Sequence, residues 1–175
     1  MLYSLPSTAG YRLAGLKTLL LAPWSGAASY NYASAACSRI TNFSGITGWE
    51  QIPLDVPGAA QFGEQLNRTK NGKLYTQLVS LSLAQLSDAG RTAVEGLVDA
   101  GPVVALLQDY NGQWWLYGQT AGLRLLTANA QSGTYGGDGS QALPLTGTQR
   151  EAARTVAVSR INLLFNSSTT FHFPA

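Results

Sequence analysis

A serine or cysteine nucleophile needs a base, and this sequence offers a single histidine, His172, close to the C-terminus. Chain ends fray unless they are docked, so His172 reads as an ordinary surface or interface side chain. Cys37 is the lone cysteine and sits in the Ala-rich stretch Ser34-Ala35-Ala36-Cys37, where a thiol is most often a small buried hydrophobe. One cysteine excludes an intrachain disulfide. One Cys and one His cannot supply a structural zinc site without carboxylates, and none stands at a supporting spacing.

The remaining motifs are similarly weak. Asp109-x-Asn111-Gly112 has the look of a calcium-loop start, yet no glutamate follows at the required offset. It reads as a turn. Gly133-x-x-Gly136-Gly137-Asp138-Gly139 lacks the spacing and the Lys-Ser/Thr ending of a phosphate loop, which makes it a connector. A glycosidase pair among Glu50, Asp55, Glu64 and Asp109 is not excluded by spacing, but nothing singles out two of them. Trp49, Trp114, Trp115 and Tyr117 have the ring faces that stack on sugars, so a carbohydrate-binding module is one reading. Packing in a core or an interface is the commoner use of such residues. The expectation is therefore a protein that is not an enzyme, with no catalytic residue, no metal and no cofactor.

The elements that must position these residues are mostly strands. Val103 to Gly118 reads VVALLQDYNGQWWLYG, and Asn111-Gly112 between two runs of strand formers predicts a hairpin with a two-residue type I′ turn. With Tyr110 opposite Gln113, Leu107, Ala105 and Val103 would share a face with Trp114 and Leu116. Leu106 and Val104 would share the other with Trp115 and Tyr117. Both faces are apolar, where a half-buried strand alternates apolar with polar. Either something packs on each side of the hairpin, or one side is reserved for another molecule.

Leu16 to Ala22 predicts a strand stopped by Pro23, and 24–48 a long loop with a strand candidate at Arg39 to Phe43. A second candidate is Trp49 to Leu54. A clearer hairpin joins Ala60–Thr69 to Lys73–Leu83 through Asn71-Gly72, with Tyr75, Val79, Leu81 and Leu83 in period two. One helix is expected at about residues 88–100, N-capped by Ser87 and stopped by Gly101-Pro102. Strands at Gly122–Ala130, Gln141–Thr146 and Thr155–Phe165, with a tail strand at Phe171–Pro174, complete the reading. The predicted fold is mainly β: an antiparallel β-sandwich or barrel with one flanking α-helix, in a single domain spanning 1–175.

The chain has 175 residues, of which 45% are hydrophobic and 11% charged, against roughly 25% charged in an average soluble protein. A surface so poor in charge suits a subunit buried among its own copies. The net charge of +2 gives no general case for nucleic acid. Arg68, Lys70 and Lys73 gather at one turn, where solvation explains them as well as a partner would. Leu19-Leu20-Leu21-Ala22 after Lys17 is too short and too interrupted for a leader, and no run approaches the ~20 apolar residues of a spanning helix.

The order of these features resembles small virion proteins of tailed bacteriophages and prophages, in particular those of Bacteroidetes hosts. The likeness rests on Gly15-Leu16-Lys17-Thr18-Leu19-Leu20-Leu21-Ala22, a Gly-containing hairpin, a helix, the tryptophan hairpin Val103–Gly118, and Ala130-Gln131-Ser132-Gly133-Thr134. It covers about residues 15–150, and the tryptophan hairpin is its most specific piece. By analogy with tail tube proteins, the resemblance implies a self-assembling virion subunit in hexameric rings, stacked around a DNA channel and assembled in the host cytoplasm. Copies of itself, other virion proteins and genome DNA would be its partners, with no membrane. Trp114, Trp115, Tyr117 and Leu106 would serve the core and the subunit interface, Arg68, Lys70 and Lys73 would be candidates for facing DNA, and the N-terminal arm 1–14, loop 24–48 and tail 166–175 would reach adjacent subunits. A neck or ring protein, a head decoration protein or a baseplate component would share this pattern. The +2 balance departs from the acidic lumen usual in tube chains.

Overall fold

The run Leu19-Leu20-Leu21-Ala22 has no polar residue to turn toward water, and the strand that contains it is covered on both sides. The computed structural model describes residues 15–34, 37–52, 54, 60–70, 72–83, 88–127, 129–131, 140–159 and 161. The arm 1–14, the tail 166–175, Ser87, Asp55, His172, the connector 133–139 and the expected tail strand lie outside them.

Chain order gives β1 (Leu16–Pro23), β2 (Ser29–Ser34), β3 (Cys37–Ser44), β4 (Glu50–Ile52), β5 (Ala60–Thr69), β6 (Gly72–Leu83), α1 (Asp88–Asp99), β7 (Val103–Asp109), β8 (Trp114–Tyr117), β9 (Arg124–Leu125), β10 (Asn129–Gln131), β11 (Ser140–Gln149) and β12 (Arg154–Val156). A seven-stranded sheet has the order β2-β3-β12-β8-β7-β1-β4, and a five-stranded sheet runs β10-β11-β6-β5 with β9 also on β11. Every pairing is antiparallel except β12 with β3. The fold is thus mainly β and sandwich-like, with one short helix.

The two sheets enclose one core. Leu19, Leu21, Ala105, Leu107 and Tyr117 meet Val79, Leu81, Leu143 and Leu145, all buried. A second core lies on the other face of the seven-stranded sheet, where Leu20, Val104, Leu106, Trp114 and Leu116 pack with Ile40, Phe43, Ile46, Trp49 and Ile161. Each fully buried Leu or Ile contributes roughly 1.5–3 kcal/mol of transfer free energy. The central strands β1 and β7 feed both cores, which is why neither alternates with polar residues. α1 ends at Gly101, whose φ of +75° supplies the left-handed stop, and Leu97 packs against the first core.

Several sequence expectations require correction. The tryptophan hairpin does not close through a type I′ turn. Gly112 has φ +79°, but no described residue other than glycine has positive φ, so Asn111 does not supply the second left-handed position. The loop is instead the three residues Tyr110-Asn111-Gly112, closed by Gly112 N donating to Asp109 O (3.0 Å) and Asp109 N to Gln113 O (3.0 Å). The cause is the Asp109 side chain: its Oδ1 accepts from the amides of Asn111 (2.9 Å) and Gln113 (2.8 Å), fixing the wider turn. Leu106 therefore pairs with Leu116 and Leu107 with Trp115. The one-residue shift puts Trp114 on the face expected for Trp115, and the reverse.

The expected loop at 24–48 contains the β2–β3 hairpin, whose Ser-, Asn- and Ala-rich sequence carries a weak strand signal. The Trp49–Leu54 candidate shrinks to the three residues of β4. Gly122–Ala130 is broken into β9 and β10, and the final strand stops at Val156, beyond which 158, 159 and 161 are helical.

Candidate functional site

The residues expected in the core or at a subunit interface pack within the chain. Leu106, Trp114 and Tyr117 are buried, while Trp115 is half-buried against the first core and donates its indole N–H to Asp109 Oδ2 (3.4 Å). Both faces of the hairpin pack against the chain's own cores, which accounts for the two-faced apolar pattern. Trp49 is buried as well. Of the four rings considered for sugar stacking, only that of Trp115 keeps partial exposure.

The carboxylates are dispersed or structurally engaged. Glu50 is exposed on β4, Asp109 holds its turn, and Glu64 Oε2 accepts from Gln77 Nε2 (2.9 Å) and from the amide of Ala153 (2.5 Å). Among the described residues no group of three His, Cys, Asp or Glu is placed to hold a metal ion.

Sequence reasoning missed a polar network that locks the segment between β8 and β9 to the five-stranded sheet. Gly118 N donates to Gln77 Oε1 (2.8 Å). Gln149 Oε1 accepts from Thr120 N (2.9 Å), Thr120 Oγ1 (2.7 Å) and Ala121 N (3.0 Å), and its Nε2 donates to Gly122 O (2.8 Å). The approach is so close that a Cβ on Gly147 would lie 2.4 Å from Gly122 O. The signal was present in the pattern: Gln77 interrupts the inward series Tyr75, Val79, Leu81, and Gln149 ends the series Leu143, Leu145, Gly147.

What faces outward is an uncharged sheet and two edges. The outer face of β5, β6 and β11 carries Gln61, Gln65, Asn67, Leu74, Thr76, Leu78, Ser80, Ser82, Pro144, Thr146 and Thr148, with no charged side chain and none buried. Arg124 on β9 is the first charge at its margin. Among the described residues no strand pairs with the outer edge of β5, which is ten residues long, or of β2. Neither strand contains proline or lysine; β5 carries Glu64 and Arg68 on its core-side face, and β2 is irregular at Tyr32.

The turn beyond Thr69 brings Arg68, Lys70 and Lys73 together as expected. All three are exposed, and Arg68 stands directly across from Lys73 in the ladder. Third-strand support from β11 reaches only Tyr75, so the hairpin tip projects past it.

Three phenols are perturbed. Burial, followed by the neighbouring Tyr32, pushes Tyr30 up to about 12. Burial and the Glu64 charge raise Tyr117, and burial with Glu151 raises Tyr32.

No protein-family model, no curated protein and no solved structure matches the chain.

Proposed function

We propose that this chain is a self-assembling structural subunit of a tailed-phage particle, and specifically a tail tube subunit whose rings stack around a DNA channel. The observation that carries the self-assembly reading is the ten-residue edge of β5, unpaired among the described residues, beside an uncharged sheet face. A long exposed edge can pair with another chain, and closure into a ring removes it. The low charge of the sequence acts in the same direction. The phage and tube assignments rest on the resemblance of the tryptophan hairpin and its flanking elements, and on that alone. Under the same reading the subunit belongs to the virion, with other virion proteins as further neighbours.

Electron micrographs of the purified protein test it. Stacked rings of uniform diameter with a central channel are expected. Single closed rings without stacking would redirect the assignment to a neck, head decoration or baseplate component, and dispersed monomers would overturn assembly altogether.

A further inference from the structure

Two like-charge pairs of opposite sign stand on separate parts of the surface. At the β5–β6 tip, Arg68 and Lys73 face each other across the ladder with Lys70 between them in the turn, and directly opposed like charges destabilise a hairpin. On α1, Glu95 and Asp99 are four residues apart on one face, a spacing at which like charges repel. They also sit at the helix C-terminal end, where the macrodipole disfavours anions, and the last turn has no basic residue. All five side chains are exposed, and the one ion pair among the described residues is Arg154 with Glu151. Arg124 on the nearby β9 pairs with neither carboxylate.

Each pair has an exposed apolar neighbour. Leu66 is 53% exposed beside the basic tip, and Val98 is 52% exposed beside the acidic helix end. The two patches complement each other in charge and share an apolar component. Each concentrates like charges beside exposed apolar surface, and each would find in the other both opposite charge and apolar cover.

We propose that the β5–β6 tip of one copy docks on the C-terminal half of α1 of a second copy, with Arg68, Lys70 and Lys73 against Glu95 and Asp99 and Leu66 against Val98. Because two different patches meet, the contact is head-to-tail and propagates into a ring or a stack. The inference rests on the self-assembly reading and names the partner of that surface.

The test uses two full-length variants, Arg68→Glu/Lys73→Glu and Glu95→Lys/Asp99→Lys. Each alone presents two patches of the same sign, and each is expected to lose at least tenfold in assembled fraction at the concentration where the wild type is half assembled. An equimolar mixture restores opposite signs at every contact and should assemble again, which also shows that both variants are folded. Variants that assemble singly as the wild type does would overturn this contact while leaving self-assembly intact. Failure of the mixture, with both variants melting as the wild type does, would overturn it equally. Should a variant not fold, wild-type assembly that is indifferent to salt from about 0.05 to about 1 M contradicts a charge-driven contact. A wild type that never assembles removes the underlying reading itself.

Discussion

Two buried glutamines show how the same side chain has opposite consequences. Gln149 makes four hydrogen bonds to the 120–122 backbone and the Thr120 hydroxyl, whereas Gln119, 7% exposed, has neither amide atom hydrogen-bonded. Stripping partners from polar groups costs their desolvation, while removing an unpaired buried amide recovers it. Gln149→Leu should therefore lower stability by about 2 kcal/mol, limited because Thr120 and Ala121 are exposed enough to rehydrate. Gln119→Leu should raise it by about 1 kcal/mol. Urea midpoints of the two variants, read beside the wild type, check both signs. Tyr30, with Tyr32 and Tyr117, contributes a pH dependence at this scale. Its folded-state pKa of about 12 lies above the ordinary 10.0, so the folded protein holds the proton more tightly. Its contribution is complete below pH 10 and is lost as pH rises toward about 12. Tyr30→Phe should flatten that part of the alkaline melting profile. A profile identical to that of the wild type would contradict the assignment.

At the scale of elements, glycine separates positions of close approach from positions of backbone freedom. Gly112→Ala places a methyl in open space and costs only its left-handed φ, about 1 kcal/mol. Gly147→Ala drives a methyl into the Gly122 carbonyl and forces β11 off the adjoining segment, about 3 kcal/mol. Thermal melts that rank the two in the other order would show the polar clamp to be looser than described. The same elements show what the sequence reveals and what it hides. The β5–β6 hairpin and α1 were legible because their periodicity and their Gly-containing ends are local signals, and β7 because it is an apolar run bounded by turn residues. The register of β7 with β8 was not, because Asn-Gly is the strong type I′ signal and the competing signal came from the Asp109 carboxylate two residues earlier. β2 was hidden for a different reason: its strand character comes from pairing with β3, not from propensity. Gln77 and Gln149 break inward-facing series that the sequence shows, but the segment they hold is distant in sequence and could not be named from it. The basic turn could be located from the chain, but its projection beyond β11 and its opposed Arg68 and Lys73 required the ladder.

For the whole molecule, the two cores account for nearly all the large aromatic residues that had suggested a binding surface. The tryptophans stabilise the fold, and under the self-assembly proposal association would fall to the sheet edges, the uncharged face and the opposed charge patches. This division predicts that charge reversals on the β5–β6 tip and α1 alter association without lowering the melting temperature of the isolated subunit, the α1 reversal if anything raising it because Lys suits the helix C-terminal end. Core substitutions at Trp114 act in the opposite order. The measurement that bears most directly on the central claim is the native mass of the purified wild type by light scattering over a wide concentration range. A ring-forming subunit gives a mass that is a fixed multiple of 18.5 kDa or grows beyond it as rings stack. A mass of 18.5 kDa at the highest concentration would contradict it.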